Sequence, residues 1–232
     1  MTKVLVIDDE KPTLSMFRLF LTAYGYEVLT ARSGLEGLAV FNSQRPEIVF
    51  TDIKMPGMDG LTVLRKIRSS GISSQTIVIT GHGDLEKAME ALDLDASDFI
   101  NKPVDRQALD AALNRAEKRR QLPSNMPFSV SRRTGSHETA LVLSGRFTGE
   151  NLEVLSGHTA HTGDNTPTVI LDFDDSFSIN RSGLAALTKT VQQMHGQNIQ
   201  VILNNVSCNY SRLFKMVGMD KLVDIREARV EE

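Results

Sequence analysis

The sequence predicts an α/β protein with two domains, and its length, element pattern and linker composition lead to that class. The chain has 232 residues, which fits one or two domains of roughly 100–200 residues each. Short β-branched runs alternate with amphipathic stretches in the first half, a pattern typical of βαβ units around a parallel sheet. Pro123 and Pro127 lie in a segment where a helix cannot comfortably continue. We therefore expect domains at 1–121 and 128–232, joined by a linker at 122–127.

Strands and helices are predicted to alternate five times in the first domain. The strands are almost wholly apolar, as in VLVI at 4–7, and this is typical of parallel strands buried on both faces. The helices follow from apolar residues spaced three or four positions apart. The predicted strands are Val4–Ile7, Glu27–Thr30, Ile48–Thr51, Thr76–Thr80 and Asp98–Ile100, and the predicted helices are Pro12–Tyr24, Gly34–Asn42, Leu61–Arg68, Leu85–Leu94 and Asp105–Gln121.

The second domain is predicted to be a smaller α/β unit with a mixed sheet. Two strand-like runs come first, separated by the turn-rich sequence TGSHE. Helices and strands then alternate to the end of the chain. The predicted strands are Phe128–Arg133, Thr139–Gly145, Val169–Phe173, Gln200–Asn204 and Val223–Ile225, and the predicted helices are Thr148–His161, Ser182–His195 and Ser207–Val217.

Bulk composition excludes several classes of protein. Residues 1–124 carry 16 Lys and Arg against 17 Asp and Glu, and residues 125–232 carry 10 against 12. Neither half therefore has the basic footprint expected of a domain that binds nucleic acid. Cys208 is the single cysteine, which rules out an internal disulfide. Without an apolar run of about 20 residues or a signal-peptide pattern, we expect no membrane association and a cytoplasmic protein.

Polar side chains follow four strands of the first domain, at the point where each strand ends. Asp8 and Asp9 follow the first strand, Asp52 the third, Thr80 ends the fourth and Lys102 follows the fifth. Ligands of open parallel sheets bind at these carboxyl ends. Carboxylates gathered there favour Mg²⁺, and a phosphoryl group would find a nucleophile, a cation and a hydroxyl. Each residue alone has an ordinary structural explanation as a turn or cap, but the five together favour a site.

The motifs VLVIDDE, TDIKMPGMDG, VITGHGD and DFINKPVD resemble the response-regulator receiver family over residues 1 to about 121. That family has a flavodoxin-like five-stranded parallel sheet. The resemblance implies a cis bond between Lys102 and Pro103, and a small departure at Asp95, where relatives often carry glycine. It also implies these roles: Asp52 as phospho-acceptor, Asp9 as a direct Mg²⁺ ligand, Asp8 as a ligand through water, Lys54 as a ligand through its carbonyl, Thr80 as switch hydroxyl, Lys102 as the lysine that pairs with phosphate, and Phe99 as the aromatic that changes rotamer.

The implied mechanism is a switch, and we do not expect an enzyme. A sensor histidine kinase or phosphotransfer protein would donate a phosphoryl group to Asp52, and Thr80 would move towards it. Phe99 would then turn inward and repack the last two strands and helices.

Residues 180–183 of the second domain favour two interpretations. Ser182 and Gly183 precede an apolar-periodic run, which first of all indicates a helix N-cap. A helix N-terminus is also a physically favourable place for a phosphoserine, because free backbone N–H groups meet the added charge.

The sequences LSGRFTGENLEVL, VILDFDDSFSINRSGLAAL and NVSCNYSRLFKMVGMDKLVDI resemble the STAS domain of anti-sigma factor antagonists over about 128–226. In that family an Asp-Ser-Ser-Gly loop carries the regulatory serine directly before the glycine, a position that Ser182 occupies here. Asn180 and Arg181 replace the first two residues of that loop. The change either makes the loop more favourable for a phosphate or an acidic partner, or means that the domain binds its partner without serine phosphorylation.

The leading hypothesis is a response regulator whose Asp52 controls a STAS domain that captures an anti-sigma factor or a related serine kinase or phosphatase. A DNA-binding regulator and a STAS domain used only for dimerisation or scaffolding are the alternatives, and either half could support a homodimer. An enzymatic output is disfavoured, because no glycine-rich phosphate loop or metal-ligand cluster follows residue 125. His137, His158 and His161 are interpreted as surface loop residues.

Overall fold

The chain divides into two units, Met1–Gln121 and Leu122–Glu232, in a computed structural model. The structure describes residues 1–81, 84–122, 126–134, 138–159 and 168–228. His137, His161 and part of the predicted linker lie outside the described residues.

Five strands and five helices alternate through the first unit, as the apolar pattern predicts. α2 illustrates how the sequence sets a boundary, because Ser33 accepts a hydrogen bond from the Glu36 backbone and caps the first turn. The elements are β1 Lys3–Ile7, α1 Lys11–Ala23, β2 Glu27–Ala31, α2 Gly34–Gln44, β3 Ile48–Asp52, α3 Gly60–Ser69, β4 Gln75–Thr80, α4 Leu85–Asp93, β5 Asp98–Asn101 and α5 Arg106–Gln121.

The five strands form one parallel sheet in the order β2-β1-β3-β4-β5. This is the flavodoxin-like order, in which the strand order reverses between β1 and β3. Strand side chains such as Val4, Ile48 and Ile77 are fully buried, which explains why these strands read as unbroken apolar runs. The register places Ile7 beside Thr51, so the residues that follow β1 and end β3 are neighbours.

The second unit combines a five-stranded sheet with helices and a separate pair of short strands. The five-stranded sheet has the order β12-β11-β9-β7-β6, and only the β6–β7 pair is antiparallel. The elements are β6 Ser129–Thr134, β7 Glu138–Ser144, β8 Arg146–Phe147, a 3-10 turn at Gly149–Asn151, α6 Leu152–Thr159, β9 Thr168–Phe173, β10 Ser178–Ile179, α7 Arg181–Gly196, β11 Gln200–Val206, α8 Cys208–Met216, a 3-10 turn at Met219–Lys221, and β12 Asp224–Glu227.

The structure corrects the sequence prediction of the second unit at the helix predicted from Thr148 and at two short strands. The helix predicted from Thr148 begins as the 3-10 turn at Gly149–Asn151, and α6 itself starts at Leu152. The strands β8 and β10, which pair in parallel, were not predicted. Each of them has only 2 residues, too few to show an alternating pattern.

The start of α7 differs from the prediction that Ser182 is the N-cap. Asn180 is the N-cap, with its side-chain oxygen accepting from the Gly183 backbone N–H at 2.8 Å. Asparagine and serine are both strong capping residues, so the sequence alone did not separate them. A Cβ at Gly183 would lie 2.3 Å from the Phe147 carbonyl oxygen. Glycine is therefore required there by the close approach of the β8 backbone.

None of the helices in the described part of the chain is both long and apolar enough to cross a membrane.

Candidate phosphorylation site and partner-binding loop

Three carboxylates meet at the carboxyl ends of β1 and β3. Asp52 is the last residue of β3 and Asp8 follows β1 directly, and both are buried. Asp9 lies beside them and is partly exposed. One carboxylate oxygen from each of the three residues lies within 4.8 Å of the others. The sheet topology therefore brings together the acidic residues that the sequence predicts as a site.

Lys102 lies among these carboxylates. It follows β5, where its backbone N–H donates to the Thr80 carbonyl at 2.7 Å. Its ammonium lies 2.7 Å from Asp52 Oδ2, 3.2 Å from Asp8 Oδ2 and 3.3 Å from Glu10 Oε2. One cation thus faces three anions, and the predicted pairing of Lys102 with phosphate stays a prediction. The Lys102–Pro103 peptide bond is cis, as the family resemblance implies.

Burial and charge shift the pKa values of these groups. Burial raises the pKa of Asp8, and the neighbouring Asp52 charge adds to this, against the lowering by the Glu10 backbone N–H and by Lys102. Burial alone would lower the pKa of Lys102, but its hydrogen bond to Asp52 and the charges of Asp52 and Asp8 outweigh burial and raise it. Lys102 is therefore fully charged at neutral pH.

The buried Thr80 hydroxyl lacks a hydrogen-bond partner in the described structure, and Thr80 itself is 0% exposed. The buried Asp8 Oδ2 lies 3.2 Å from the Lys102 ammonium. A buried polar atom without a partner carries a desolvation cost, and oxygen atoms of this kind are suited to a divalent cation and to a phosphate. The donor set therefore fits Mg²⁺, with Asp8, Asp9 and Asp52 as the carboxylates.

Lys54 lies on the loop that follows β3. Its backbone N–H donates to Asp52 Oδ1 at 3.2 Å, whereas Lys102 contacts the other oxygen, Oδ2. Its ammonium lies 2.6 Å from Asp84 Oδ2, on the loop after β4. The role of the Lys54 carbonyl as a metal ligand stays a prediction.

Phe99 lies in β5 beside Val78 of β4 and is only 1% exposed. The ring is therefore packed inside the unit in this structure. The predicted rotamer change on activation stays a prediction.

Sequence reasoning missed two acidic residues of the pocket. Glu10 completes the set of carboxylates around Lys102, and Asp84 forms the ion pair with Lys54. Glu10 follows Asp8 and Asp9 directly in the chain, which was an available signal. Asp84 precedes α4 and had only the pattern of an ordinary helix cap.

The predicted partner-binding loop of the second unit lies at the start of α7. The exposed Ser182 donates to Asn180 Oδ1 at 3.0 Å and accepts from the Gly149 backbone N–H at 3.0 Å. Ser182 therefore links the first turn of α7 to the 3-10 turn at Gly149–Asn151. Arg181 is exposed and Gly183 is buried against β8. The described parts of this unit contain no cluster of metal ligands. His158 was predicted to be a surface loop residue, but it lies within α6 and is half-buried, with its ring nitrogen 2.8 Å from the Val154 carbonyl.

Family models divide the chain into the same two kinds of domain. The response regulator receiver domain model matches residues 4–114, and the STAS domain model matches residues 90–232. This chain belongs to the STAS family and carries a response regulator receiver domain. The STAS match, which spans more than half of the chain, begins within α4, whereas the second compact unit begins at Leu122. A receiver followed by a STAS domain makes the protein a two-component response regulator.

Curated relatives and solved structures are similar to about half of the chain. The transcriptional regulatory protein GlrR of Escherichia coli strain K12 is 36% identical over 113 residues, which are 49% of this chain and 26% of GlrR. The response regulator MprA of Mycobacterium sp. strain KMS is 35% identical over 127 residues, 55% of each chain. The chain thus spans about a quarter of GlrR and about half of MprA. A receiver domain crystal structure from Clostridium thermocellum is 40% identical with a TM-score of 0.50, covering 52% of this chain and 98% of that one.

Proposed function

We propose that Asp52 of the receiver accepts a phosphoryl group from the phosphohistidine of a sensor kinase or phosphotransfer protein. The observation that carries the proposal is the arrangement around Asp52: Lys102 on one oxygen, the Lys54 N–H on the other, and a cluster with Asp8 and Asp9. The buried Thr80 hydroxyl, without a hydrogen-bond partner in the described structure, supports a ligand at this site.

The chemistry is a displacement at phosphorus. A carboxylate oxygen of Asp52 forms the new O–P bond while the P–N bond of the donor breaks, and the imidazole leaves with that electron pair and is protonated by solvent. Lys102 balances negative charge at the oxygen it already contacts at 2.7 Å. Mg²⁺, held by Asp8, Asp9, Asp52 and the Lys54 carbonyl, would neutralise the charge of the transferred group. We propose that the chain acts as a switch in this step and not as an enzyme with its own substrate.

We further propose that phosphorylation of Asp52 controls capture of a protein partner by the STAS domain. The partner class is an anti-sigma factor or a related serine kinase or phosphatase, bound around Asn180, Arg181, Ser182 and Gly183. The exposure of Ser182 at the first turn of α7 supports this surface. The STAS match in the second half supports a protein partner over DNA. The relative GlrR is itself named a transcriptional regulatory protein.

Phosphorylation is tested with acetyl phosphate and Mg²⁺ as donor and cofactor. We expect a slower band for the wild-type chain on a phosphate-affinity gel, complete loss of that band in Asp52→Asn, and its loss when EDTA is added. Asp220→Asn, an exposed aspartate of the second unit, is the matched control and keeps the band. Persistence of the slower band in Asp52→Asn would contradict the assignment.

Coupling is tested by purifying the tagged wild-type chain and Asp52→Ala from their native cells, with beryllofluoride as the phosphoryl mimic. We expect an anti-sigma factor or serine kinase, identified by mass spectrometry, whose recovery depends on the mimic in the wild-type sample only. Equal recovery in all samples would show that the receiver does not control the STAS domain.

Modification at Ser182 is tested with the same partner. A phosphate there would remove the proton that the Ser182 hydroxyl donates to Asn180 and add negative charge at the surface. We expect Ser182→Glu to abolish capture and Ser182→Ala to retain it. If both variants bind as the wild type does, the partner does not read this residue.

A further inference from the structure

Two lysines of the phosphorylation pocket are held by acidic residues that stand at helix N-caps. Glu10 is the N-cap residue of α1 and pairs with Lys102, and Asp84 is the N-cap residue of α4 and pairs with Lys54. In neither helix does the N-cap side chain accept a hydrogen bond from a backbone N–H of the first turn. For Asp84 this is unusual, because aspartate is among the strongest N-cap residues.

Asp59 shows what Asp84 would do in an ordinary cap. Asp59 is the N-cap of α3, its ψ angle is 161°, and its Oδ1 accepts from the Thr62 N–H at 2.8 Å. Asp84 has a ψ angle of 55°, outside the extended region, and its carboxylate lies on the Lys54 ammonium at 2.6 Å. A rotation of the Asp84 backbone into the extended region would let its carboxylate cap α4 as Asp59 caps α3.

The ion pair lies beside both the phospho-acceptor and the residue after Thr80. Lys54 contacts Asp52 through its backbone N–H. A Cβ built on Gly81 would lie 3.8 Å from both Asp84 Oδ2 and Lys54 Nζ, so the pair packs against the backbone directly after Thr80. Movement of Thr80 towards a phosphoryl group on Asp52 would therefore disturb the pair.

The strength of the ion pair suits a reversible contact. The Lys54 side chain is 60% exposed, and exposed ion pairs contribute little to stability. A phosphoryl group on Asp52 adds a charge of about −1.5 to −2 two residues from Lys54 and competes for its ammonium. At its other end α4 is tied by Arg68 to Asp95 and to the Leu94 carbonyl, at 3.0 Å and 2.6 Å. The N-terminal end is thus the end that can be released.

We propose that Asp84 is a two-position switch that either latches Lys54 or caps α4, with the phosphoryl group on Asp52 driving the exchange. In the latched position Lys54 is occupied and the first turn of α4 lacks its cap. In the second position Lys54 faces the phosphoryl group and the Asp84 carboxylate accepts from the first-turn N–H groups. This inference rests on the proposed phosphorylation of Asp52, and it names the residues that carry the signal to α4.

The test is amide hydrogen exchange of residues 85–88 in the full chain, with and without Mg²⁺ and beryllofluoride. Asp84→Asn keeps a capping oxygen but loses the charge that binds Lys54, whereas Asp84→Ala loses both. Without the mimic, we expect Asp84→Asn to raise protection about fivefold over the wild type, the factor for one cap, and Asp84→Ala not to raise it. Lys54→Gln, which frees Asp84 from the other side, should resemble Asp84→Asn.

With the mimic, protection should rise in the wild type and stay unchanged in Asp84→Ala. Asp59→Asn, whose cap is already formed, is the control and should follow the wild type. Equal protection in Asp84→Asn and the wild type without the mimic would overturn the switch. A bound-fluoride ¹⁹F signal that depends on Asp52, together with unchanged wild-type protection, would also overturn it. Absence of that signal would instead contradict the proposed chemistry of Asp52, and the comparison without the mimic would still decide the switch.

Discussion

The phosphorylation pocket and the Ser182 loop occupy corresponding places in their units but are built in opposite ways. Each lies where parallel strands end and a helix begins. The pocket gathers several carboxylates around the ammonium of Lys102 and leaves the buried hydroxyl of Thr80 without a hydrogen bond in the described structure. In the loop, Asn180 and Ser182 hydrogen-bond to each other and to backbone N–H groups.

This difference indicates how each site responds to a ligand. The pocket stores unfavourable negative charge that a bound cation would relieve, so cation binding there is linked to stability. The loop is satisfied without a ligand, so it presents a fixed surface that a partner recognises by shape and polarity. We therefore expect the receiver to change its structure on binding a ligand. We expect the STAS loop to keep its structure and to be recognised by the partner.

Each site has a glycine that lies against a backbone carbonyl oxygen. Replacing either glycine has the largest effect on stability that we expect. A Cβ would lie 2.1 Å from the Asp52 carbonyl oxygen at Gly60, and 2.3 Å from the Phe147 carbonyl oxygen at Gly183. We expect Gly60→Ala and Gly183→Ala each to destabilise their own unit by about 1–3 kcal/mol in urea unfolding. Gly60→Ala should also slow phosphorylation by acetyl phosphate, because the backbone of Asp52 must shift, whereas Gly183→Ala should not.

The control for this pair is Gly196→Ala at the end of α7, where a Cβ would meet nothing within 4 Å. It should be neutral, or stabilising by up to about 1 kcal/mol. If Gly183→Ala were as stable as Gly196→Ala, the close approach to β8 would not constrain the loop.

The stored charge of the pocket predicts a stabilising substitution, Asp8→Asn. Burial raises the pKa of Asp8 in the folded chain, so folding favours the protonated form. The stability that Asp8 contributes is therefore greatest below its unfolded pKa and is lost as the pH rises through the folded pKa. At pH 7 without divalent cations, we expect Asp8→Asn to be more stable in urea by about 1 kcal/mol. The Lys102 ammonium still has an anionic partner after this change, because Asp52 Oδ2 lies 2.7 Å from it.

Acid and magnesium distinguish this explanation from a general effect of lost charge. The gain should fade as the pH falls towards the usual carboxyl range, and Mg²⁺ should stabilise the wild type more than Asp8→Asn. Asp220→Asn, at an exposed site, should show neither response. A gain that grows in acid would contradict the sign argued for Asp8.

The pocket could be predicted from sequence because strand ends determine it. Asp8, Asp52 and Thr80 follow or end apolar runs, and parallel strands bring such positions to one edge of the sheet. The latch between Lys54 and Asp84 could not be predicted, because it depends on the rotamer of an exposed lysine and on a backbone angle at the start of α4. The position of the acidic groups follows from topology, whereas their pairing follows from side-chain geometry.

The Ser182 loop was harder to predict for a related reason. Asn180 and Ser182 are both capping residue types, and the choice between them depends on which backbone N–H each oxygen reaches. The Ser182 hydroxyl accepts a hydrogen bond from the backbone N–H of Gly149, a residue 33 positions away in the chain. That contact depends on the tertiary fold and has no local sequence signal. The short strands β8 and β10, which support the glycine of this loop, have no such signal either.

The smallest effects that we expect concern this network, and they test whether Asn180 is the true cap. Asn180→Ala removes the acceptor of the Gly183 N–H and should cost about 1 kcal/mol in urea unfolding of the second unit. Ser182→Ala removes an exposed hydroxyl and should cost about 0.5 kcal/mol. Because Ser182 donates to Asn180 at 3.0 Å, the double variant should cost less than the sum of the two. Asp59→Ala, which removes the corresponding cap of α3, should match Asn180→Ala. A larger loss of stability for Ser182→Ala than for Asn180→Ala would show that Ser182 is the N-cap. Phosphorylation of Ser182 would then disrupt α7 itself as well as the surface that α7 presents.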